Sequence, residues 1–202
     1  SRNGNDLSSG LFATQVAGYN GDWAIQADAL DRQSELGSGA YGAFPGSAPS
    51  TPITILFWAK VSHNLGAALV CILNASGRQD PMGIYAESDG ALYSVWFDES
   101  NVISSSPTSV ATNVVAQDTW MHVAAVFVPG TGVTLYANGV AVTEYEWQAG
   151  SSGYYGSWET LLVGSSRWGS AGAIVDDLRI YDEALTEPEI MSLMNTPVGG
   201  TG

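Results

Sequence analysis

The feature that most restricts the fold is a series of strand-forming segments separated only by tight turns. A long apolar strand is predicted over residues 118–128, and Pro-Gly-Thr-Gly at 129–132 then reverses the chain. A second strand is predicted over residues 133–137. Asn138-Gly139 then supplies a two-residue hairpin turn, because both residue types tolerate positive φ. Consecutive strands joined in this way predict an antiparallel sheet.

An earlier segment, residues 51–61, shows a two-residue alternation in which both faces are largely apolar. A strand places successive side chains on opposite faces. One face would carry Ile53, Ile55, Phe57 and Ala59, and the other Thr54, Leu56, Trp58 and Lys60. Because both faces are mostly apolar, the segment is predicted to be an inner strand of two packed sheets. Further strands are predicted over residues 67–74, 82–87, 91–97, 161–164 and 173–181.

One short helix is predicted near the C-terminus. Thr186 and Glu189 have the spacing of a capping box. Pro188 is tolerated in a first turn, because the N–H that it lacks would be unpaired there. The chain length suits one domain. We therefore expect a single domain over residues 1–197, followed by a tail at 198–202.

The charge balance argues against several classes of partner. The chain has 6 Lys and Arg residues against 20 Asp and Glu residues, a formal net charge of -14. Binding of nucleic acid or of an anionic membrane surface needs clustered cations, so neither is expected. No apolar run approaches the roughly 20 residues of a membrane helix, so membrane insertion is not expected. The one cysteine, Cys71, lies in an apolar run and is predicted to be buried.

Several motifs are similar to those of one family of β-sandwich domains. They are the strand at residues 53–60, Trp-Met-His-Val-Ala at 120–124, Leu-Tyr-Ala-Asn-Gly at 135–139, Val-Asp-Asp-Leu-Arg-Ile-Tyr at 175–181, and the opening strand with its acidic turn at 24–31. In this order they resemble the laminin G-like, concanavalin A-like jelly rolls. The resemblance implies an all-β fold, an antiparallel two-sheet jelly-roll sandwich with one short C-terminal helix. It does not specify the function, because this fold carries lectins, adhesion modules, hydrolase side domains and spacers.

Carboxylates near both ends of the chain form a candidate metal site. The first and last strands of such sandwiches often pair, which would bring Asp28 and Asp31 towards Asp176 and Asp177. Calcium takes about six to eight oxygen ligands. The resemblance implies a structural calcium, with Asp28 and Asp176 as its side-chain ligands. Because Asp176 and Asp177 are adjacent in a strand, their side chains would point to opposite faces, and both could not easily bind one ion. The alternative is that these carboxylates are solvated turn or edge charges.

Aromatic side chains are concentrated in two predicted loops, residues 144–158 and 165–170. In sugar-binding proteins of this class, aromatic rings pack on the C–H faces of sugars, and arginine can bind hydroxyls or a carboxylate. The predicted ligand-binding residues are Tyr145, Trp147, Tyr154, Tyr155, Trp158, Arg167 and Trp168. The alternative is that these rings fold back and cover the sheet.

No catalytic residues are predicted. Glycoside hydrolysis needs two carboxylates about 5–10 Å apart. Glu87 with Asp89, or Glu144 with Glu146, would share a strand face. The dense Glu-x-Asp-x-x-Glu strand of the family's hydrolases is absent, however, and no Gly-x-Ser-x-Gly motif accompanies the two histidines. These carboxylates are therefore interpreted as solvated or calcium-binding charges.

These features predict a non-catalytic recognition domain that is extracellular or surface-exposed, on a secreted protein, a cell-surface adhesin or a virion. The first hypothesis is carbohydrate binding with a structural calcium, so that the partner is a glycan. The alternative is a structural or adhesive domain whose partner is another protein subunit or surface protein. In either case the chain is expected to be part of a larger multidomain or multimeric protein.

Overall fold

The computed structural model describes residues 8–9, 13–17, 19, 23–27, 40–43, 50–61, 67–73, 82–87, 89–96, 109–146, 160–166, 169–170 and 173–196. Within these ranges the chain is mostly β-strand, with one short helix near its C-terminal end. The predicted all-β fold is confirmed. The predicted tail at 198–202 lies outside the described residues.

The first group of strands comprises β1 (Ser8–Ser9), β2 (Ala13–Ala17), β3 (Trp23–Ala27), β4 (Ala40–Ala43), β5 (Ile53–Val61), β6 (Ala67–Leu73), β7 (Met82–Ala86), β8 (Leu92–Trp96) and β9 (Ser109–Ala111). The second group comprises β10 (Trp120–Val128), β11 (Gly132–Ala137), β12 (Val140–Glu146), β13 (Thr160–Val163), β14 (Ser165–Ser166), β15 (Gly169–Ser170) and β16 (Ala173–Tyr181). The helix α1 spans Glu187–Met194. The strands predicted from alternation agree with β5, β6, β7, β8, β10, β11, β13 and β16 to within two residues at each end.

The strands form two antiparallel sheets of seven strands each. The first sheet has the order β1-β4-β13-β6-β7-β8-β9, and the second has the order β12-β11-β10-β5-β16-β3-β2. The strands β14 and β15 pair separately as a small hairpin. The long strands β5 and β10 lie side by side near the middle of the second sheet. This arrangement confirms the predicted antiparallel two-sheet sandwich.

The predicted hairpin connects β11 to β12. Asn138 and Gly139 have φ angles of 50° and 81°, the left-handed region that a two-residue turn of this type requires. The N–H of His122 donates to Oδ1 of Asn138 at 3.0 Å, and the N–H of Asn138 donates to the carbonyl of His122 at 2.8 Å. A Cβ at position 139 would lie 2.8 Å from Cγ of Met191, so glycine is also required by packing against α1.

The early and late strands of the chain lie side by side, as the sequence predicted. Strand β16 pairs with β3, with Ile174 opposite Gln26 and Val175 opposite Ile25. On its other edge, β16 pairs with β5. The pairing places β3 beside the strand that carries Asp176.

The core lies between the two sheets and takes the inward-facing residues of each strand. From the central strand β5 it contains Ile53, Ile55, Phe57, Ala59 and Val61. The first sheet contributes, among others, Leu69, Ile72, Ile84 and Leu92. Full burial of one such large apolar side chain stabilises the fold by about 2 kcal/mol.

Helix α1 covers part of the outer face of the second sheet. Leu185, just before the helix, and Ile190 within it pack against Leu56, Ala124 and Val126. This packing explains why β5 is apolar on both faces, since one face meets the other sheet and the other face meets the helix.

Two sets of hydrogen bonds position this helix. The N–H and the hydroxyl of Thr186 both donate to Oε2 of Glu189, at 2.8 and 2.7 Å, and these bonds lower the pKa of that carboxyl. The buried hydroxyl of Thr54 donates to the carbonyl of Glu183 at 2.7 Å and accepts the N–H of Leu185 at 3.0 Å. The predicted helix start is confirmed, and β5 holds the segment that leads into it.

Both segments predicted to be aromatic-rich loops contain strand. Strand β12 continues to Glu146, so Tyr145 lies in a strand, opposite Val133 of β11, and the predicted loop over residues 144–158 begins too early. Strands β14 and β15 pair within residues 165–170. Both predictions were wrong because pairing with a neighbouring strand extends regular structure through polar residues that have no apolar alternation.

Candidate functional site

One part of the outer face of the second sheet carries aromatic and polar side chains. The register places His122 of β10 opposite Trp58 of β5, and Trp120 opposite Lys60. On the other side of β5, Asp176 of β16 lies opposite Trp58. These side chains share the face away from the core, because the sequence neighbours of Trp58 point into it.

Tyr19 packs directly onto Trp58 on this face. The two rings are stacked, with centroids 3.5 Å apart and planes inclined by 11°. Trp120 meets Tyr19 edge-on at 6.0 Å, and His122 meets Trp58 edge-on at 5.4 Å. The N–H of Tyr19 donates to Oδ2 of Asp176 at 2.8 Å. We refer to Tyr19, Trp58, Trp120 and His122 as the Trp58 cluster.

The Trp58 cluster contains buried polar atoms without partners. His122 is 1% exposed and Trp58 is 6% exposed. Within the described part of the chain, neither Nδ1 nor Nε2 of His122 forms a hydrogen bond, and Nε1 of Trp58 also lacks a partner. A buried polar group left unpaired costs about 1–3 kcal/mol. Burial, together with the positive charge of Arg179, lowers the pKa of His122 to about 4, so its imidazole is neutral at pH 7. Three unpaired nitrogens beside the exposed ring of Tyr19 make this cluster the candidate binding site.

Arg179 connects this face to the end of the helix. Strand β16 is irregular between Asp176 and Arg179, and Asp177 has a φ of 50°. Nε of Arg179 donates to Oδ1 of Asp177 at 2.9 Å, and Nη2 donates to Oδ2 of the same carboxylate. Nη1 and Nη2 also donate to the carbonyls of Leu193 and Thr196, at 3.3 and 2.6 Å. The strict alternation predicted for the two aspartates does not apply, because the irregular backbone turns Asp177 towards Arg179.

The predicted calcium ligands lie only partly within the described residues. Asp28 is outside them. Asp176 accepts the N–H of Tyr19 on Oδ2 and the N–H of Asp177 on Oδ1, at 2.8 and 2.7 Å. No three His, Cys, Asp or Glu side chains in the described part of the chain are grouped to hold a metal. The calcium site stays a prediction.

A second aromatic pair lies on the outer face of the first sheet. Tyr85 and Tyr93 are stacked at 5.1 Å, and the Tyr93 hydroxyl donates to Glu87 at 2.9 Å. Burial, reinforced by Glu87, raises the pKa of Tyr93. Sγ of the buried Cys71 donates to the Tyr85 hydroxyl at 3.1 Å, which confirms the predicted burial of this cysteine. Tyr85 is 7% exposed, so packing accounts for this pair.

Most of the predicted ligand-binding residues lie outside the described part of the chain. They are Trp147, Tyr154, Tyr155, Trp158, Arg167 and Trp168. For Tyr145 only the backbone is described, within β12. The predicted alternation placed Trp58 on the opposite strand face from Phe57 without deciding which of the two faces points outward. Neither Trp120 nor Tyr19 was predicted to be a site residue. The signal that was available is the i, i+2 spacing of Trp120 and His122, which places both on one strand face.

Two of the four carboxylates considered for hydrolysis have structural roles in the turn between β7 and β8, and the side chains of the other two, Glu144 and Glu146, are outside what the structure describes. Glu87 accepts the hydroxyl of Tyr93 at 2.9 Å, and Oδ1 of Asp89 accepts the N–H of Ala91 at 2.9 Å. Gly90, which lies between β7 and β8, has a φ of 82°, a conformation that glycine adopts without strain. Both carboxylates are therefore accounted for by the local turn.

The two antiparallel sheets, the paired early and late strands and the covering helix define a jelly-roll sandwich. Residues 36–191 match the family model described as the Concanavalin A-like lectin/glucanases superfamily. Because the match extends over more than half of the sequence, the chain belongs to this superfamily. The predicted resemblance is confirmed.

Solved structures of toxin binding domains share the fold. The binding domain of Paraclostridial Mosquitocidal Protein 1 is 19% identical with a TM-score of 0.69, and the match covers 96% of this chain and 48% of that one. The ligand binding domain of botulinum neurotoxin serotype D, in complex with N-acetylneuraminic acid, is 10% identical with a TM-score of 0.69, covering 95% and 46%. The binding domain of botulinum neurotoxin DC, in complex with rat synaptotagmin II, is 13% identical with a TM-score of 0.68, covering 96% and 47%.

At these identities the likeness establishes the fold. The chain spans about half the length of these solved structures. A comparison with the curated proteins found no match. In the described part of the chain, no helix is long and apolar enough to cross a membrane.

Proposed function

We propose that the chain is a non-catalytic recognition domain that binds carbohydrate outside the cell. The observation that carries the proposal is the Trp58 cluster, in which an exposed tyrosine lies on a buried indole beside three unpaired nitrogens. Sugar rings combine an apolar C–H face with hydroxyl groups, and such a surface complements both. Membership of a superfamily that includes lectins supports the proposal. So does the likeness to a toxin domain in complex with N-acetylneuraminic acid.

The aromatic residues predicted from sequence remain part of this proposal. Trp147 directly follows β12, which is an edge strand of the second sheet, and the chain then continues to β13 in the first sheet. Arg167 and Trp168 lie in the sequence between the paired strands β14 and β15. Segments that connect strands at the rim of a sandwich are common binding sites.

A structural calcium held by Asp28 and Asp176 is also proposed. Its support is the family resemblance and the position of Asp176 on β16, the strand that pairs with the early strand β3. When bound, the ion would supply a fixed positive charge that joins the early and late strands of the chain. The described residues contribute one carboxylate to it, and that carboxylate also holds the backbone N–H of Tyr19.

A structural or adhesive domain that binds another protein subunit is the second candidate, and a different surface favours it. Val140 is 55% exposed and Met191 is 43% exposed. Both flank the turn that contains Gly139, which packs against Met191. Neighbouring exposed apolar side chains are typical of protein contacts. One structure with the same fold is in complex with a protein, rat synaptotagmin II.

A glycan array, run with calcium and with a chelator, tests the first candidate. We expect retention of the protein on a defined set of glycans, and weaker retention of Trp147→Ala and Trp168→Ala with unchanged circular dichroism. Val140→Ser, which changes only the second surface, should bind glycans like the wild type. Absence of binding to every glycan, combined with self-association that Val140→Ser abolishes, would establish the second candidate instead.

A further inference from the structure

The Trp58 cluster is unusual because its unpaired polar atoms are sealed from water. The nitrogens of His122 and Trp58 have no hydrogen-bond partner, and both side chains are almost fully buried. Buried polar groups in native proteins are nearly always paired, and exceptions concentrate at sites that bind something. The sheet therefore holds three hydrogen-bonding positions that none of the described residues uses.

Tyr19 covers one face of the Trp58 indole, the ring that carries one of these three nitrogens. Tyr19 is 41% exposed, and its ring lies nearly parallel to the indole of Trp58, at the separation of a stacked pair. Its backbone N–H is held by Oδ2 of Asp176. A ring on the face of the indole and a donor on the carboxylate are the two contacts that a bound sugar would make in the same place.

We infer that the ring of Tyr19 occupies a sugar-binding position on Trp58, and that a neutral pyranose ring binds there when Tyr19 moves away. The inference rests on the proposed carbohydrate-binding function. It adds the location of the site, the group that gates it and the class of its ligand.

The hydrogen-bonding groups of this surface fit a polyhydroxylated ring. Nε1 of Trp58 can only donate, while the neutral imidazole of His122 offers one donor and one acceptor. A sugar hydroxyl both donates and accepts, so one ring can satisfy this mixed set while its C–H face covers the indole.

The charges at this face favour a neutral ligand over an acidic one. Arg179 is bonded to Asp177, so its charge is already matched. Lys60 and Asp176 flank the cluster on neighbouring strands and oppose each other in sign. The local balance is close to zero in a molecule whose formal net charge is -14, and that overall charge repels a carboxylated sugar.

Affinity measurements on Tyr19 variants test the inference. The probes are the methyl glycosides of glucose, galactose, mannose and N-acetylglucosamine, with N-acetylneuraminic acid as the acidic comparison. Titrations would be followed by tryptophan fluorescence and by saturation-transfer NMR. When Tyr19 is stacked on Trp58 the site is closed, and the apparent affinity for sugar is reduced to the fraction of molecules in which Tyr19 has moved away. Tyr19→Ala should therefore bind at least one neutral glycoside about tenfold more tightly than the wild type. Tyr19→Phe, which keeps the stacked ring, should restore the lower affinity.

The possible results separate this inference from the proposed function. Tighter binding by Tyr19→Ala, lost again when Trp58→Phe removes the indole N–H, supports both. A second possible result is that the wild type and Tyr19→Ala bind glycans equally, while Trp147→Ala or Trp168→Ala loses binding. This result would contradict the role of Tyr19 in closing the site but would support the proposed function. A preference of Tyr19→Ala for N-acetylneuraminic acid overturns the ligand class. No sugar binding by any form overturns the inference and the proposed function together.

The variant His122→Phe adds a measurement that needs no ligand. It replaces the two unpaired nitrogens with apolar ring atoms of similar size. We expect a higher melting temperature for the free protein and, in the Tyr19→Ala background, weaker glycoside binding. A variant that is stabilised but binds as before would show that His122 does not contact the sugar and would overturn this part of the inference.

Discussion

A neutral histidine sealed into a sheet couples protonation to folding. His122 has a pKa of about 4 in the folded chain, against about 6.5 for an unperturbed histidine. Between these values the unfolded chain binds a proton that the folded chain does not. The contribution of neutral His122 to the free energy of unfolding is therefore fully present above pH 6.5. It is lost as the pH falls towards 4, and the total loss is roughly 3 kcal/mol.

Urea denaturation between pH 4 and pH 7.5 measures this effect. The free energy of unfolding of the wild type should decrease across the window, and His122→Phe should show a decrease smaller by roughly 3 kcal/mol. The carboxylates that titrate in the same range are common to both proteins and cancel in the difference. Parallel curves for the two proteins would show that His122 is not the coupled group.

The residues that could be predicted are those whose role is local in sequence. Asn138 and Gly139 were identified from their tolerance of positive φ, and Thr186 and Glu189 from their capping spacing. Tyr19 could not be identified, because the ring on which it stacks belongs to β5, several strands later in the chain. A contact set by strand order across a sheet leaves no signal in a local sequence window.

At the scale of elements, the helix is attached to the sheet by a buried hydroxyl. Thr54 donates to the carbonyl of Glu183 and accepts the N–H of Leu185. Thr54→Val keeps the shape but leaves the buried N–H of Leu185 unpaired, so we expect a loss of about 1–3 kcal/mol. Chemical denaturation measures it. Thr134→Val, on the same sheet, is the control and should change stability by less than about 0.5 kcal/mol.

The far end of the helix has its own attachment through Arg179. Arg179→Met would remove the bonds to Leu193 and Thr196 and would leave the carboxylate of Asp177 unpaired, although its side chain is only 9% exposed. Removing one partner of a buried pair costs about 3–5 kcal/mol. In urea denaturation the double variant Asp177→Asn with Arg179→Met should recover part of that loss. A double variant as unstable as the single one would show that the helix contacts dominate.

Alternation predicted the long central strands but not the edges of the sheets. β5 and β10 are mostly apolar over nine residues each, so their pattern is visible in the sequence. The end of β12 and the hairpin of β14 and β15 depend on pairing with a neighbour. These features are set by contacts between strands, which the local pattern does not contain.

At the scale of the whole molecule, two effects of added cations have to be separated. In a chain with a formal net charge of -14, the negative groups repel one another. Any salt screens this repulsion between charges that are farther apart than the Debye length, about 10 Å at 0.1 M. A calcium ion bound by Asp176 and Asp28 would act only on the folded state. It would stabilise the fold in proportion to the logarithm of its concentration, by about 2.7 kcal/mol at one hundred times its dissociation constant.

Thermal melting in calcium chloride, magnesium chloride and sodium chloride of equal ionic strength distinguishes the two effects. If calcium is bound, calcium alone should raise the melting temperature by several degrees beyond the sodium value, because about 1 kcal/mol shifts a domain of this size by about 2–4 °C. The smaller magnesium ion keeps its waters and fits such sites poorly. Asp176→Asn should remove the calcium increment and keep the increment due to salt. Equal shifts in all three salts would mean that charge screening, rather than a bound ion, stabilises this acidic sandwich.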